Sequence, residues 1–124
     1  MQRVAQATYI ELRKHLSDEM INAIGYFHGE TQEFIYISDE LERRYDESAL
    51  DDILEDAFFD TFGASYHEDL YDSELHATTR IYDEYIDTVI PLGDTRGVLF
   101  IIDCNAWYQF PEAVKEIKDA VTRY

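Results

Sequence analysis

The stretch from Leu75 to Val121, LHATTRIYDEYIDTVIPLGDTRGVLFIIDCNAWYQFPEAVKEIKDAV, decides the fold. Its centre, GVLFIID from Gly97 to Asp103, is apolar at successive positions. A strand with that pattern has both faces covered, so it belongs in the middle of a sheet. Upstream, ELHATTRIY from Glu74 to Tyr82 predicts a strand, with Leu75, Ala77, Thr79 and Ile81 on one side. Asp83 and Glu84 turn the chain into a second strand, YIDTVIPL. Pro91 near its end marks a strand terminus or an edge, because proline cannot donate to a ladder. GDTR then makes a turn into the central strand. Past that strand, Asp103 caps the next element, and Pro111 is tolerated in a first helical turn. PEAVKEIKDAV places Ala113, Val114, Ile117, Ala120 and Val121 on one helical face.

Upstream of this stretch, RVAQATYIELRKHLSDEM carries Ala5, Tyr9, Leu12, Leu16 and Met20 at helical spacing, so a first helix runs to about Met20. INAIGYFH and EFIYIS predict two strands joined by the turn Gly29 to Gln32. Ser38 caps DELERRY, whose acids sit in a first turn where the helix dipole favours them. Ser48 with Asp51 signals a second cap. Leu50, Ile53, Leu54, Ala57, Phe58 and Phe62 then form an apolar stripe that Gly63 ends. These signals predict a broken helical region from Asp39 to Phe62, with GASYHEDLYDS as an irregular connection. The sum is an α+β domain with a five-stranded antiparallel sheet and helices packed on it, in the order αββαβββα. No repeat or linker divides the chain, so one domain spans residues 1–124.

Composition limits the habitat and the partners. The chain has 124 residues, with 27 acids against 10 bases and a net charge of −17. Only Lys14, Lys115 and Lys118 are lysines. Such a surface repels itself at low salt, and salt at about 1 M shortens the Debye length to about 3 Å and removes the cost. Many acids, few lysines and an intact aliphatic core resemble the proteins of salt-in extreme halophiles. Direct nucleic-acid binding is disfavoured, because it needs clustered Lys and Arg. The rival reading of the charge is an acidic surface that mimics nucleic acid or captures a basic protein. The longest apolar stretch, Val98 to Ile102, is too short to span a membrane. The N-terminus lacks the apolar core of a secretion signal, and the single Cys104 rules out an internal disulfide. A cytoplasmic address is the expectation.

The order of elements is similar to the roadblock (dynein light chain) fold, a relative of the longin and profilin-like layouts. The local likeness lies in VIPLGDTRGVLFIIDCNA: a strand, a Gly-containing turn, an apolar strand ending in Asp, then the last helix. A second likeness is to small uncharacterised acidic proteins of haloarchaea, through GYFHGETQEFIYISDEL and GVLFIID; it carries no known activity. The roadblock resemblance implies a non-catalytic module that forms homodimers, by extending the sheet or pairing the middle helices. It also implies regulation of partners, often small GTPases or other signalling proteins. No partner-contacting residue carries over by motif.

Each chemical candidate has a plainer reading. His67, Glu68, Asp69, Asp72, Glu74 and His76 mix imidazole with carboxylate, as metal sites do, with His67, Asp69 and His76 as the ligand candidates. Their spacing fits no known motif, and a solvated acidic loop explains them. Cys104 stands where a strand meets a helix and would need His28 or His76 beside it to act as a nucleophile. A small, partly buried thiol explains it as well. LGDTRG holds two glycines but leads into a strand, so it reads as a hairpin loop rather than a phosphate cradle. No cofactor, metal or catalytic residue is assigned. The interaction candidates are Phe59, which falls off the stripe beside Phe58, and the run Trp107, Tyr108 and Phe110.

Overall fold

The central position of the GVLFIID strand organises the molecule. A computed structural model describes residues 2–93, 95–106 and 110–123. Its five strands are β1 (Ile21–His28), β2 (Thr31–Ile37), β3 (Thr78–Ile81), β4 (Tyr85–Gly93) and β5 (Arg96–Asp103). They form one antiparallel sheet in the order β2-β1-β5-β4-β3. β5 sits in the middle because every residue from Gly97 to Ile102 is buried. Its register sets Phe100 between Ile24 and Thr88, and Val98 between Tyr26 and Ile90.

Side chains alternate along β5, so the sheet has two cores. Val98, Phe100 and Ile102 pack with Ile24, Ile86 and Ile90 beneath α1 (Gln2–Arg13) and α5 (Phe110–Val121). These helices contribute Val4, Ala5 and Leu12, and Val114, Ile117 and Val121. On the opposite face, Leu99 and Ile101 join Ala23, Phe27 and Val89 beneath α2 (Asp39–Arg44) and α3 (Glu47–Asp60). Leu41, Leu50, Leu54 and Ala57 are the helical side of that core.

Local chemistry explains the joints. Gly29 takes a positive φ of 62° in the β1–β2 turn, a conformation open to glycine at little cost. A bulge at Asn22 lets Ile21 and Ile24 share one face. The bulge also anchors α2: the Ser38 N–H donates to the Asn22 carbonyl (2.7 Å) and the Ser38 hydroxyl to Asn22 Oδ1 (2.8 Å). Ser38 Oγ in turn accepts from the Leu41 N–H, the cap read from the sequence. Pro91 lies past the end of β3, which pairs β4 only from Ile86 to Val89, so one side of the strand is free there. A β-carbon at Gly97 would stand 2.7 Å from the Ile90 carbonyl oxygen and 2.8 Å from the Phe27 ring, so only glycine lets these strands and that ring meet.

Four expectations change. The first helix ends at Arg13, not Met20, because Ser17 turns extended and Asp18–Met20 forms a 3-10 turn. Leu16 and Met20 still pack on the α1–α5 core. The cap of α3 is Asp46, whose side chain accepts from the Ala49 N–H, rather than Ser48. Asp46 wins because Tyr45 before it is extended, which starts the helix earlier. The connection after Gly63 is helical: α4 runs Ala64–Tyr71 and stops at Asp72, whose φ of 49° is left-handed. β3 begins at Thr78, so Glu74 to Ala77 leads into the ladder without joining it. No helix among the described residues is long and apolar enough to cross a membrane.

Candidate interaction surface

α3 turns Leu50, Leu54 and Ala57 into the core, which leaves Phe59 on the opposite side, 55% exposed. The 3-10 turn Thr61–Gly63 then carries Phe62 out of the stripe, to 53% exposure. A 3-10 turn advances three residues per turn instead of 3.6, so a residue in register with the α-helical stripe rotates out of it. Phe58 connects these rings to the interior. It packs edge-on against buried Phe27 (5.8 Å) and against Phe62 (5.1 Å), while Phe59 and Phe62 lie 6.0 Å apart. Phe59 and Phe62 form an exposed ridge; the next helix, α4, also exposes Tyr66, Leu70 and Tyr71 and buries none of its residues. Surface apolar residues scattered singly need no explanation, but a contiguous run of them marks a contact.

β3 pairs with β4 on one side and, among the described strands, has an open edge on the other. Ile81 at its end and Tyr82 after it are exposed. Arg80 ties this edge to α3. Its Nη1 donates to Asp56 Oδ2 (2.9 Å) and its Nη2 to Asp60 Oδ1 (2.6 Å). Asp87 stands directly across the ladder from Arg80. Burial pushes the Asp87 carboxyl up to about 6; Arg80 pulls it down, while Asp60 and Asp56 push it further up. Three carboxylates thus share one guanidinium. Asp60 Oδ2 and Asp87 Oδ1 are out of solvent and have no hydrogen-bond partner among the described residues.

Between these elements lies a groove of about 670 Å³. Leu41, Ile53, Ile81 and Ile101, with Tyr45, Tyr82 and Tyr85, are its apolar and aromatic lining. Asp83, Glu84 and Asp87 are its acids and Arg44 its one base among the described lining residues. Arg44 is already engaged. It pairs with Glu84 and lies over the rings of Tyr85 (5.4 Å) and Tyr45 (5.9 Å).

Residues 10–122 of the chain match the model of the family described as Domain of unknown function (DUF7522). The chain belongs to this family. No curated protein and no solved structure matches it. The family match takes in every element from the last turns of α1 to α5, including the whole of the ridge and the groove.

Of the residues singled out in the sequence, Phe59 stands on the ridge. Trp107 and Tyr108 lie outside the described residues, and Phe110 is the first residue of α5. His67 is on α4 with its ring 5.6 Å from Tyr66. Its neighbouring acids are occupied: Glu68 accepts from the Leu75 N–H (2.9 Å), and Glu74 accepts from Lys118 (2.9 Å). Hydrogen bonding from Lys118 holds the Glu74 carboxyl below its usual range. Asp69 and His76 fall on the helix and on the link before β3, and no group of three or more His, Cys, Asp or Glu among the described residues is placed to hold a metal ion. Cys104 is half-buried at the start of a 3-10 turn, its N–H donating to the Glu84 carbonyl. The sequence reading missed α4, the exposed pair Ile81 and Tyr82, and the Arg80 cluster. Tyr66 and Leu70 at i, i+4 were the available signal for the first.

Proposed function

We propose that this chain is a non-catalytic, regulatory interaction module that works as a homodimer in the cytoplasm of a halophilic archaeon. The observation that carries this reading is the exposed pair Phe59 and Phe62, coupled through Phe58 to the core. Aromatic side chains held rigidly at a surface lose little entropy when a partner covers them, and they dominate interface energetics. Fully burying a phenylalanine stabilises by about 1.5–3 kcal/mol. A two-fold contact would use the pair twice. The order of elements adds support, since roadblock proteins, which it resembles, pair through the middle helix or the sheet edge. That likeness also makes a small GTPase or another signalling protein the partner class to look for.

The charge couples dimerisation to salt. Two copies that each carry −17 repel at low ionic strength. At about 1 M salt a Debye length of about 3 Å leaves the aromatic contact unopposed. Light scattering at tens of micromolar protein in 2 M KCl is the test. A dimer is expected there, with monomer for Phe59→Glu/Phe62→Glu, and loss of the folded circular-dichroism signal in 50 mM salt. A monomeric natural chain in 2 M KCl contradicts the dimer. An equally stable fold at both salt concentrations contradicts the halophilic reading.

A further inference from the structure

We infer that the groove between α2–α3 and β3–β4 docks a segment of another protein that presents a lysine or arginine among aliphatic side chains. This rests on the interaction-module reading but not on the dimer. Three observations lead to it. Leu41, Ile53 and Ile101 make part of the lining apolar, beside the short edge strand β3. The lining is acidic: Arg44, its one base among the described lining residues, pairs with Glu84, which leaves Asp83 and Asp87. Asp87 Oδ1 is out of solvent and has no donor among the described residues. The guanidinium opposite it, Arg80, is shared by Asp87 with Asp56 and Asp60, to both of which it donates.

These features set the chemistry of the occupant. Asp87, partly buried and with one oxygen lacking a donor among the described residues, leaves negative charge at the groove that favours a cation beside it. A bare metal ion would need several converging ligands, and no such group occurs among the described residues. A lysine or arginine brings an aliphatic stem that covers apolar lining while its charged head reaches the carboxylate. Tyr82, exposed at the groove, adds an aromatic ring to which a cation is attracted, whereas the Tyr85 ring already lies under Arg44. A second copy of this chain is the poorer occupant. It carries 27 acids and 10 bases, so it presents mostly like charge to the acidic rim.

The test uses a fluorescent eight-residue peptide with three leucines and two arginines, titrated by anisotropy in 2 M KCl, where non-specific attraction to the acidic surface is screened. Saturable one-site binding is expected. A peptide with glutamate for arginine should not bind, nor should one with serine for leucine. Asp87→Asn should weaken binding roughly tenfold, the scale of one lost hydrogen bond to a charged group. Tyr82→Lys alters an exposed residue, so it keeps the fold, and should weaken binding at least as much. Equal binding of the serine peptide, or unchanged binding by both variants, overturns the inference. So does a Tyr82→Lys chain that turns monomeric, since a second copy would then occupy the groove. A monomeric natural chain that still binds the arginine peptide removes the dimer and leaves the groove standing.

Discussion

The two faces of one sheet have different fates. On the α1–α5 face, Val98, Phe100 and Ile102 of β5 meet Val4, Leu12, Ile117 and Val121, and all are buried. On the other face the same strand offers Leu99 and Ile101, equally buried, but the helical cover is incomplete. α2 is only six residues long, α3 turns Phe59 outward, and α4 buries nothing. The strands are thus suited to bury both faces, and the helices alone decide which face stays open. A closed face carries stability; an open one with exposed aromatics is where a partner can gain from binding.

The contrast can be broken most severely from the closed side. Phe100→Ala should cost about 3–5 kcal/mol, since its ring is fully buried and its site is enclosed by two strands and two helices. Chemical denaturation in 2 M KCl measures this. A loss below about 1 kcal/mol would mean that the closed face is not the stabilising one.

A smaller effect, with the opposite sign, belongs to Asp87. An aspartate titrates near 3.9 in an unfolded chain, and Asp87 is raised to about 6 in the folded one. Between those values the folded state holds more protons than the unfolded state. Stability contributed by this residue is therefore present below about pH 4 and lost as pH rises through about 6. A shift of about two units would amount to about 3 kcal/mol. Asp87 is only half-buried, so solvent screening reduces this to about 1 kcal/mol. Asp87→Asn should raise stability by that amount at pH 8 and change little at pH 4. Arg80 on β3 and Asp56 and Asp60 on α3 are the charges that face it, and Arg80→Gln should raise the Asp87 carboxyl further. A variant that is less stable at pH 8 would show that the carboxylate is needed to hold Arg80.

The smallest stability effect should come from the ridge. Phe59→Glu and Phe62→Glu should each cost no more than about 1 kcal/mol of monomer stability, because both rings are more than half exposed and their ring contacts are with each other and Phe58. Their effect should appear in association instead. A loss of 2 kcal/mol or more in the folded monomer would make the ridge part of the core.

How far the sequence disclosed this contrast depends on what each residue buries. The run GVLFIID announced the central strand, because only a doubly covered strand is apolar at successive positions. Ser38 announced α2, because its cap is local chemistry. The spacing of Leu16 and Met20 predicts a first helix longer than the one that forms. Leu16 and Met20 do bury against the α1–α5 core, but from a turn, so the spacing reported the face and not the backbone. α4 left only a faint mark, the pair Tyr66 and Leu70 at i, i+4, because a helix that buries none of its residues carries no long apolar stripe. Phe59 was legible as an off-stripe aromatic, whereas Phe62 sat in register and left it only through the 3-10 turn. The Arg80, Asp56, Asp60 and Asp87 cluster joins residues up to 31 positions apart across three elements, a proximity that local sequence patterns do not encode.

The claim that one face is closed and the other awaits a partner is tested most directly by amide hydrogen exchange in 2 M KCl at low and high protein concentration. Amides of α3, α4 and β3 should gain protection as concentration rises, while those of α1 and α5 exchange at the same rate throughout. Concentration-dependent protection of α1 and α5, with α3 and α4 unchanged, would contradict the account.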